Sequence, residues 1–317
     1  MRMSKADGTA NLPLVLLFRP LYEGQNRWGK ALILTLVADA TASLNWADFG
    51  FDPVMVELGP LKIRWYSLAY IGGIVFGWWY LAKLVAQPGA PMAKRHVDDF
   101  IFYATLGIIL GGRLGYCLFY KPDIFQNPMD VFKLWEGGMS FHGGVLGVVI
   151  AIFWMVRREK LNWLRFHDYV AVVYPIGHLF GRLANFINGE LWGRPTDLPW
   201  GMTFPGAGDM LARHPSQLYQ GALEGALLAG ILWWMFFKTQ ARYEPGRLVG
   251  AFTMLMGIFR FGLEFFREPD AGIHGALSLS MGQTLSIPMI LVGGYFFFTA
   301  KARRQRVESV AGTESVA

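Results

Sequence analysis

Apolar residues fall in seven long runs, divided by connections in which the charges concentrate. A helix of about 20 mostly apolar residues crosses about 30 Å of hydrocarbon. Runs near 65–87, 99–120, 137–156, 168–188, 217–237, 247–266 and 282–300 have that length. The pattern predicts an all-α fold, a polytopic membrane helix bundle with seven transmembrane helices. Glycine pairs recur inside the runs, at Gly72-Gly73, Gly111-Gly112 and Gly143-Gly144, and small residues let membrane helices approach closely. Residues 1–50 form an N-terminal extension, 51–301 the seven-helix domain, and 302–317 a basic and then disordered tail. No internal repeat is visible.

The placement of charge orients the bundle. One set of connections holds Lys83, Lys94, Arg95, Arg157, Arg158, Lys160, Arg165, Lys238, Arg242, Arg247, Lys301, Arg303, Arg304 and Arg306. The alternate set holds only Lys121, Lys133, Arg194, Arg213 and Arg267. Lys and Arg accumulate on the cytoplasmic side, which puts the N-terminus outside and the C-terminus in the cytoplasm. The net charge of +6 therefore reports topology, and no nucleic-acid partner is expected.

Composition agrees. Hydrophobic residues make up 53% and charged ones 16%, against roughly 25% charged in a soluble domain. Twelve tryptophans suit a chain with two membrane–water interfaces to anchor. A single cysteine, Cys117, excludes an internal disulfide and leaves two readings, a nucleophile or a small apolar residue packed in a helix. The first 45 residues fit the topology poorly, because it places Arg2, Lys5, Arg19, Arg27 and Lys30 on the outer, non-cytoplasmic side. Two readings stand: a distant signal-peptide core ending near Ala40 or Ala42, or a true start further downstream, with Met55 one choice.

The chemistry concentrates in Gly-Arg-Leu-Ala-Asn-Phe-Ile-Asn-Gly-Glu-Leu-Trp-Gly-Arg, residues 181–194. An arginine, two asparagines and a glutamate are costly in hydrocarbon and persist mostly where they face a polar cavity. Gly181-Arg182-x-Ala184-Asn185-Phe186-x-Asn188-x-Glu190-x-x-Gly193 resembles the signature of the prolipoprotein diacylglyceryl transferases, integral membrane enzymes of bacteria. His142-Gly143-Gly144, His214-Pro215-Ser216-Gln217-Leu218-Tyr219 and Arg260-x-x-x-Glu264-Phe265-Phe266-Arg267 match the same family. The resemblance runs from about Phe51 to Lys301. Two departures stand out: Ala184 replaces the family's glycine, and Met256 stands where members carry tyrosine.

At 1.5 Å per residue from the expected helix ends, Arg113, His142, Arg182, Glu224 and Arg260 all fall about 20 to 22 Å from the cytoplasmic side. One polar layer in the outer half of the bilayer suits chemistry on a lipid headgroup better than a transport route, which strings polar groups through the full thickness. Arg182 and Arg260 are candidates to clamp a phosphate bidentately. Glu264, four residues after Arg260, either orients it or balances its charge. His142, flanked by glycines, is a candidate to accept a thiol proton. Asn185, Glu190, Tyr66 and Arg113 complete the candidate phosphatidylglycerol site, each with a structural alternative: loop holding, orienting Arg194, aromatic belt and ion pairing respectively. Asp168 reads as the N-cap of its own helix. No metal-ligand spacing and no phosphate loop occur, and no cofactor is expected.

The resemblance implies transfer of the sn-1,2-diacylglyceryl group of phosphatidylglycerol to the lipobox cysteine of a prolipoprotein signal peptide, giving a thioether and glycerol phosphate. It implies residence in the bacterial inner (cytoplasmic) membrane, among membrane lipids. A small-solute transporter and a non-catalytic receptor for lipidated peptides are the readings from other classes.

Overall fold

The computed structural model describes residues 44–58, 61–133, 137–268 and 279–304. The proposed signal-peptide core and most of the basic tail lie outside these residues. The chain divides into two compact units, Met1–Gly50 with Pro195–His214, and Phe51–Arg194 with Pro215–Ala317. Residues 195–214 therefore group with the N-terminal segment, which a single boundary at residue 50 does not anticipate.

The larger unit is a helix bundle. Its long helices, among the described residues, are α1 (Trp65–Val85), α2 (Lys94–Phe119), α3 (Phe141–Arg158), α4 (Trp163–Ile187), α5 (Ser216–Lys238), α6 (Arg247–Leu263) and α7 (Met281–Thr299). Five of them, α1, α2, α4, α5 and α7, are long and apolar enough to cross a membrane. Helices α3 and α6 are shorter, at 18 and 17 residues. The chain is thus a multi-pass helical membrane protein. Its outward faces agree: Phe102, Ile150 and Leu291 are more than half exposed, a covering that water would not tolerate over a whole bundle.

Local chemistry moves several helix ends away from the apolar runs. Helix α4 begins five residues before Asp168, because the Asn162 side chain accepts the Arg165 N–H at 3.1 Å. Asp168 accordingly does not cap its own helix. It reaches α6 instead, accepting from the Gly246 and Val249 N–H groups at 2.8 Å each, and so caps that helix. Helix α3 begins at Phe141, four residues after Gly137, because Gly137 and Gly138 hold φ of 77° and 84°. Such left-handed values end a helical run. Ser140 then caps the new start through the Gly143 N–H at 3.2 Å.

Glycine contacts build the antiparallel pairs. A Cβ on Gly107 would lie 2.6 Å from the Gly147 carbonyl carbon, and one on Gly250 would lie 2.5 Å from the Phe297 nitrogen. Backbone thus meets backbone between α2 and α3 and between α6 and α7. Helix α4 is the hub, packing on α1, α5 and α6. A π-helical stretch, Gly221–Leu227, interrupts α5 where it meets α4; such bulges mark functional sites frequently. Helices α2, α4 and α6 end, and α1, α3, α5 and α7 begin, at one end of the bundle, here termed the site end.

Strands add what an all-α reading omits. In the larger unit, β2 (Val54–Leu58) and β3 (Leu61–Arg64) form an antiparallel hairpin running directly into α1. Alternating Leu61-Lys62-Ile63-Arg64 and the Gly59-Pro60 pair are hairpin signals. In the smaller unit, β1 (Leu44–Asn45) pairs in parallel with β4 (Met202–Thr203), which pairs antiparallel with β5 (Ala212–Arg213). Arg213 is bonded there to Asp209 at 2.7 Å, which holds the Asp209 carboxyl below the usual range.

Candidate functional site

The C-terminal end of α4 turns sharply to bring its polar residues together. Gly189 has φ 62° and Leu191 φ 58°, the latter an uncommon conformation for a branched side chain. The turn places Glu190 back against its own helix. Its Oε1 accepts from Asn185 Nδ2 at 2.8 Å and from Asn188 Nδ2 at 3.4 Å. The carbonyl of the buried Asn185 in turn accepts from Arg182 Nη1 at 3.2 Å. One amide therefore links the arginine to the carboxylate, using its acceptor toward one and its donor toward the other. From α5, Gln217 donates to the Glu190 backbone carbonyl at 2.6 Å and Ser216 to that of Leu191 at 2.9 Å.

One turn deeper stands a residue the sequence reading passed over. His178 Nε2 lies 2.9 Å from Glu224 Oε2, with side chains 11% and 1% exposed. Arg182 Nε lies 3.4 Å from the same nitrogen. A single Nε2 cannot donate to Glu224 and accept from Arg182, and the shorter contact wins. The Arg182 guanidinium therefore touches only the neutral side chain of Asn185 and an imidazole. Among the described residues it forms no ion pair. The signal available in the sequence was the spacing of His178 and Arg182, four apart on one helix face. Gly225 makes the approach of Glu224 to α4 possible: a Cβ there would lie 2.8 Å from Leu179 Cβ.

The end of α6 supplies the second group. Arg260 Nη2 lies 3.6 Å from Glu264 Oε2, and Arg267 Nη1 lies 3.9 Å from Glu264 Oε1. One buried carboxylate thus serves two arginines. A strap joins this group to the α4 turn: the Arg194 N–H donates to the Phe266 carbonyl at 2.9 Å, and Arg194 Nε donates to that of Arg267 at 2.9 Å. The charges of Arg260, Arg267 and Glu224 all act on Arg182. Tyr66, in the first turn of α1, bonds Tyr70 Oη at 3.2 Å and lies within the field of Glu190 and Arg182. Arg182, Asn185, Glu190, Arg260, Glu264 and Tyr66 are in this sense brought to one place.

Two further expected members are placed differently. Arg113 is buried, and its guanidinium is engaged by loop carbonyls: Nε by Val131 at 2.8 Å, Nη2 by Asp130 at 2.8 Å, and Nη1 by Gly137 and Gly138. It ties residues 130–131 and 137–138 to α2. His142 is the second residue of α3 and is exposed; α3 packs chiefly on α2. Cys117 is fully buried, which favours packing over nucleophilic attack. Among the described residues, no three His, Cys, Asp or Glu side chains cluster as a metal would need.

The observed helix ends revise the depths. Measured from the site end, His142 is one residue in, Arg260 three, Arg182 five, Arg113 six and Glu224 eight. These are about 2, 5, 8, 9 and 12 Å. Counted along each helix, the polar groups lie within about 12 Å of the terminus at the site end.

Residues 53–299 match the family described as prolipoprotein diacylglyceryl transferase. A phosphatidylglycerol–prolipoprotein diacylglyceryl transferase of Erythrobacter litoralis (strain HTCC2594) is 55% identical over 81% of this chain and 92% of its own. The proteins so named from Zymomonas mobilis and Cupriavidus pinatubonensis are 52% and 50% identical, covering 82% and 81% of this chain and 94% of each relative. A match over most of the chain, with Arg182, Asn185, Glu190, Arg260 and Glu264 gathered at one end of the bundle, settles its membership: the chain belongs to the prolipoprotein diacylglyceryl transferase family.

Proposed function

We propose that the protein transfers the sn-1,2-diacylglyceryl group of phosphatidylglycerol to the lipobox cysteine of prolipoproteins, forming a thioether and releasing glycerol phosphate, the first step of lipoprotein maturation. The observation that carries this reading is Arg182, an arginine inside an apolar bundle whose side-chain contacts are an amide and an imidazole. An arginine without a counter-ion in low dielectric is costly. A lipid phosphate supplies that counter-ion bidentately.

In this reading the lipid phosphate sits between Arg182 and Arg260, with Arg267 nearby. Glu264 pairs with Arg260 and Arg267 and not with Arg182, which leaves the Arg182 guanidinium to the anion. As the glyceryl carbon–oxygen bond breaks, charge grows on the departing phosphate, and donors already in place stabilise it without reorganising. The acceptor thiol has an ordinary pKa of about 8.5 and must lose its proton to attack. His142 is one base for it and the lipid phosphate the other; the exposure of His142 at the start of α3 suits an approaching peptide. Asn185 and Glu190 orient Arg182, and Tyr66 closes the site from α1.

The wider arrangement follows from charge and length. All seven helices span the bacterial inner membrane, with α3 and α6 seated against longer neighbours. The N-terminus faces outward and the C-terminus the cytoplasm, so the site end lies in the outer leaflet. Residues 51–301 carry the catalytic domain.

The test uses purified protein in detergent with labelled phosphatidylglycerol and a lipobox peptide. A heavier, thioether-linked peptide together with glycerol phosphate, both lost in Arg182→Ala, supports the reading. Neither product from folded wild-type protein and an acceptable peptide refutes it.

A further inference from the structure

Gly282 stands where helix chemistry argues against glycine. It is the second residue of α7, and it is not among the residues with positive φ. No backbone conformation therefore requires it, and alanine is the better helix former. The reason is spatial. A Cβ at this position would lie 2.6 Å from Glu264 Oε2, 2.7 Å from Cδ and 3.0 Å from Oε1. All three nearest atoms belong to one carboxylate.

That carboxylate is the one shared by Arg260 and Arg267, at 3.6 and 3.9 Å. It is 6% exposed, and the positive end of α7 favours an anion beside it. The bare face of Gly282 is thus the wall against which Glu264 rests. An added methyl would meet the tip of a flexible side chain, not backbone. The fold would absorb it by moving the carboxylate, and both arginines would move with it.

We propose that Gly282 is a positioning residue for the transfer reaction: its missing side chain seats Glu264 against α7, and that seat fixes where the Arg260 and Arg267 guanidiniums point. The inference deepens the function proposed above and rests on it. Misplacing a charge-stabilising group by about 1 Å costs up to a hundredfold in rate, while leaving the fold intact.

A double-mutant cycle tests this, because residues that act through one contact give non-additive losses. Wild type, Gly282→Ala, Glu264→Asp and the double variant are assayed for kcat and KM with phosphatidylglycerol and a lipobox peptide in detergent. Thermal unfolding of each is followed by the reactivity of Cys117. Gly282→Ala is expected to lose about tenfold to a hundredfold in kcat with unfolding near wild type. The double variant loses no more than Glu264→Asp alone, since the shorter acid no longer reaches the wall. Gly294→Ala, on the same helix with its nearest neighbour at 3.8 Å, keeps the wild-type rate. A Gly282→Ala protein at wild-type rate, or losses that multiply in the double variant, overturns the proposal. If Gly282→Ala fails to accumulate, recovery of yield in the double variant supports it and no recovery overturns it. An inactive wild type would sink the transferase reading and this inference together; an active wild type with multiplying losses would sink this inference alone.

Discussion

Asp168 ties two helices together far from the candidate site, and its removal tests the fold separately from the chemistry. Its two oxygens accept the Gly246 and Val249 N–H groups at 2.8 Å each, and the side chain is fully buried. Arg165, three residues earlier and equally buried, donates to the Gly89 carbonyl and acts on Asp168 through its charge. Asp168→Ala leaves two buried donors without acceptors, at about 1 to 3 kcal/mol each. It also removes a carboxylate whose charge acts on the buried Arg165 guanidinium, and the two donors alone put the expected total at about 2 to 6 kcal/mol. Asp168→Asn keeps one acceptor oxygen and should cost about 1 to 2 kcal/mol. Cys117 is the one cysteine of the chain and fully buried, so a thiol-reactive dye reports unfolding during a thermal ramp in detergent. The expected order of unfolding temperatures is wild type, then Asn, then Ala. Arg182 lies 14 residues along the same helix, about 21 Å away, so activity per folded molecule should hold in all three. An Ala variant unfolding with wild type, or an Asn variant as weak as Ala, would refute the reasoning from acceptor count.

The remaining predictions separate the residues that hold the fold from those that face the lipid. Arg182→Gln should lower kcat about 100- to 1,000-fold with little change in unfolding temperature, and Arg182→Lys should recover only part, since a point charge does not reproduce the fork; a lysine variant at full rate would count against a bidentate clamp. Arg113→Gln should show the opposite pattern, early unfolding with near-normal activity per folded molecule; a raised KM for phosphatidylglycerol in a stable protein would return Arg113 to the lipid site. His142→Asn should lower kcat if His142 takes the thiol proton, because the amide that replaces the imidazole cannot accept one. Full rate in that variant would leave the lipid phosphate as the base.

Much of the fold is legible because membrane helices declare themselves by length and polarity. Each predicted run corresponds to a helix, yet the ends differ by up to five residues, as at Lys94 and Trp163. Hydrocarbon length controls the apolar run, whereas caps control the backbone, and Asn162 or Ser140 acts on the latter. The β2–β3 hairpin was signalled by alternation around Gly59-Pro60 but outweighed by the helical pattern that follows it. At the site, the residues of the 181–194 segment and of the Arg260–Arg267 segment stand out because charge is rare in hydrocarbon. His178 did not, because its four-residue spacing to Arg182 is a weak signal inside an apolar run and its partner, Glu224, comes from another helix. Arg113 is the reverse case: the carbonyls that engage it belong to Asp130, Val131, Gly137 and Gly138, and backbone acceptors leave no trace in a sequence.

The two arginine groups differ in a way that bears on mechanism. Arg260 and Arg267 share a carboxylate, while Arg182 is held by an amide and an imidazole. A carboxylate bound directly to Arg182 would have to be displaced or shared when the phosphate arrives, weakening the field felt by the leaving group. Asn185 avoids this by passing the pull of Glu190 through a neutral amide, so the guanidinium is oriented without being neutralised. The strap from Arg194 to Phe266 and Arg267 then ties the α4 turn to the segment that follows α6, where Arg260 and Arg267 share Glu264. In the proposed reading, positive charge that is costly in hydrocarbon is also what would stabilise the departing phosphate. The backbone ties between the two helix ends would then hold Arg182 and Arg260 in register against their mutual repulsion.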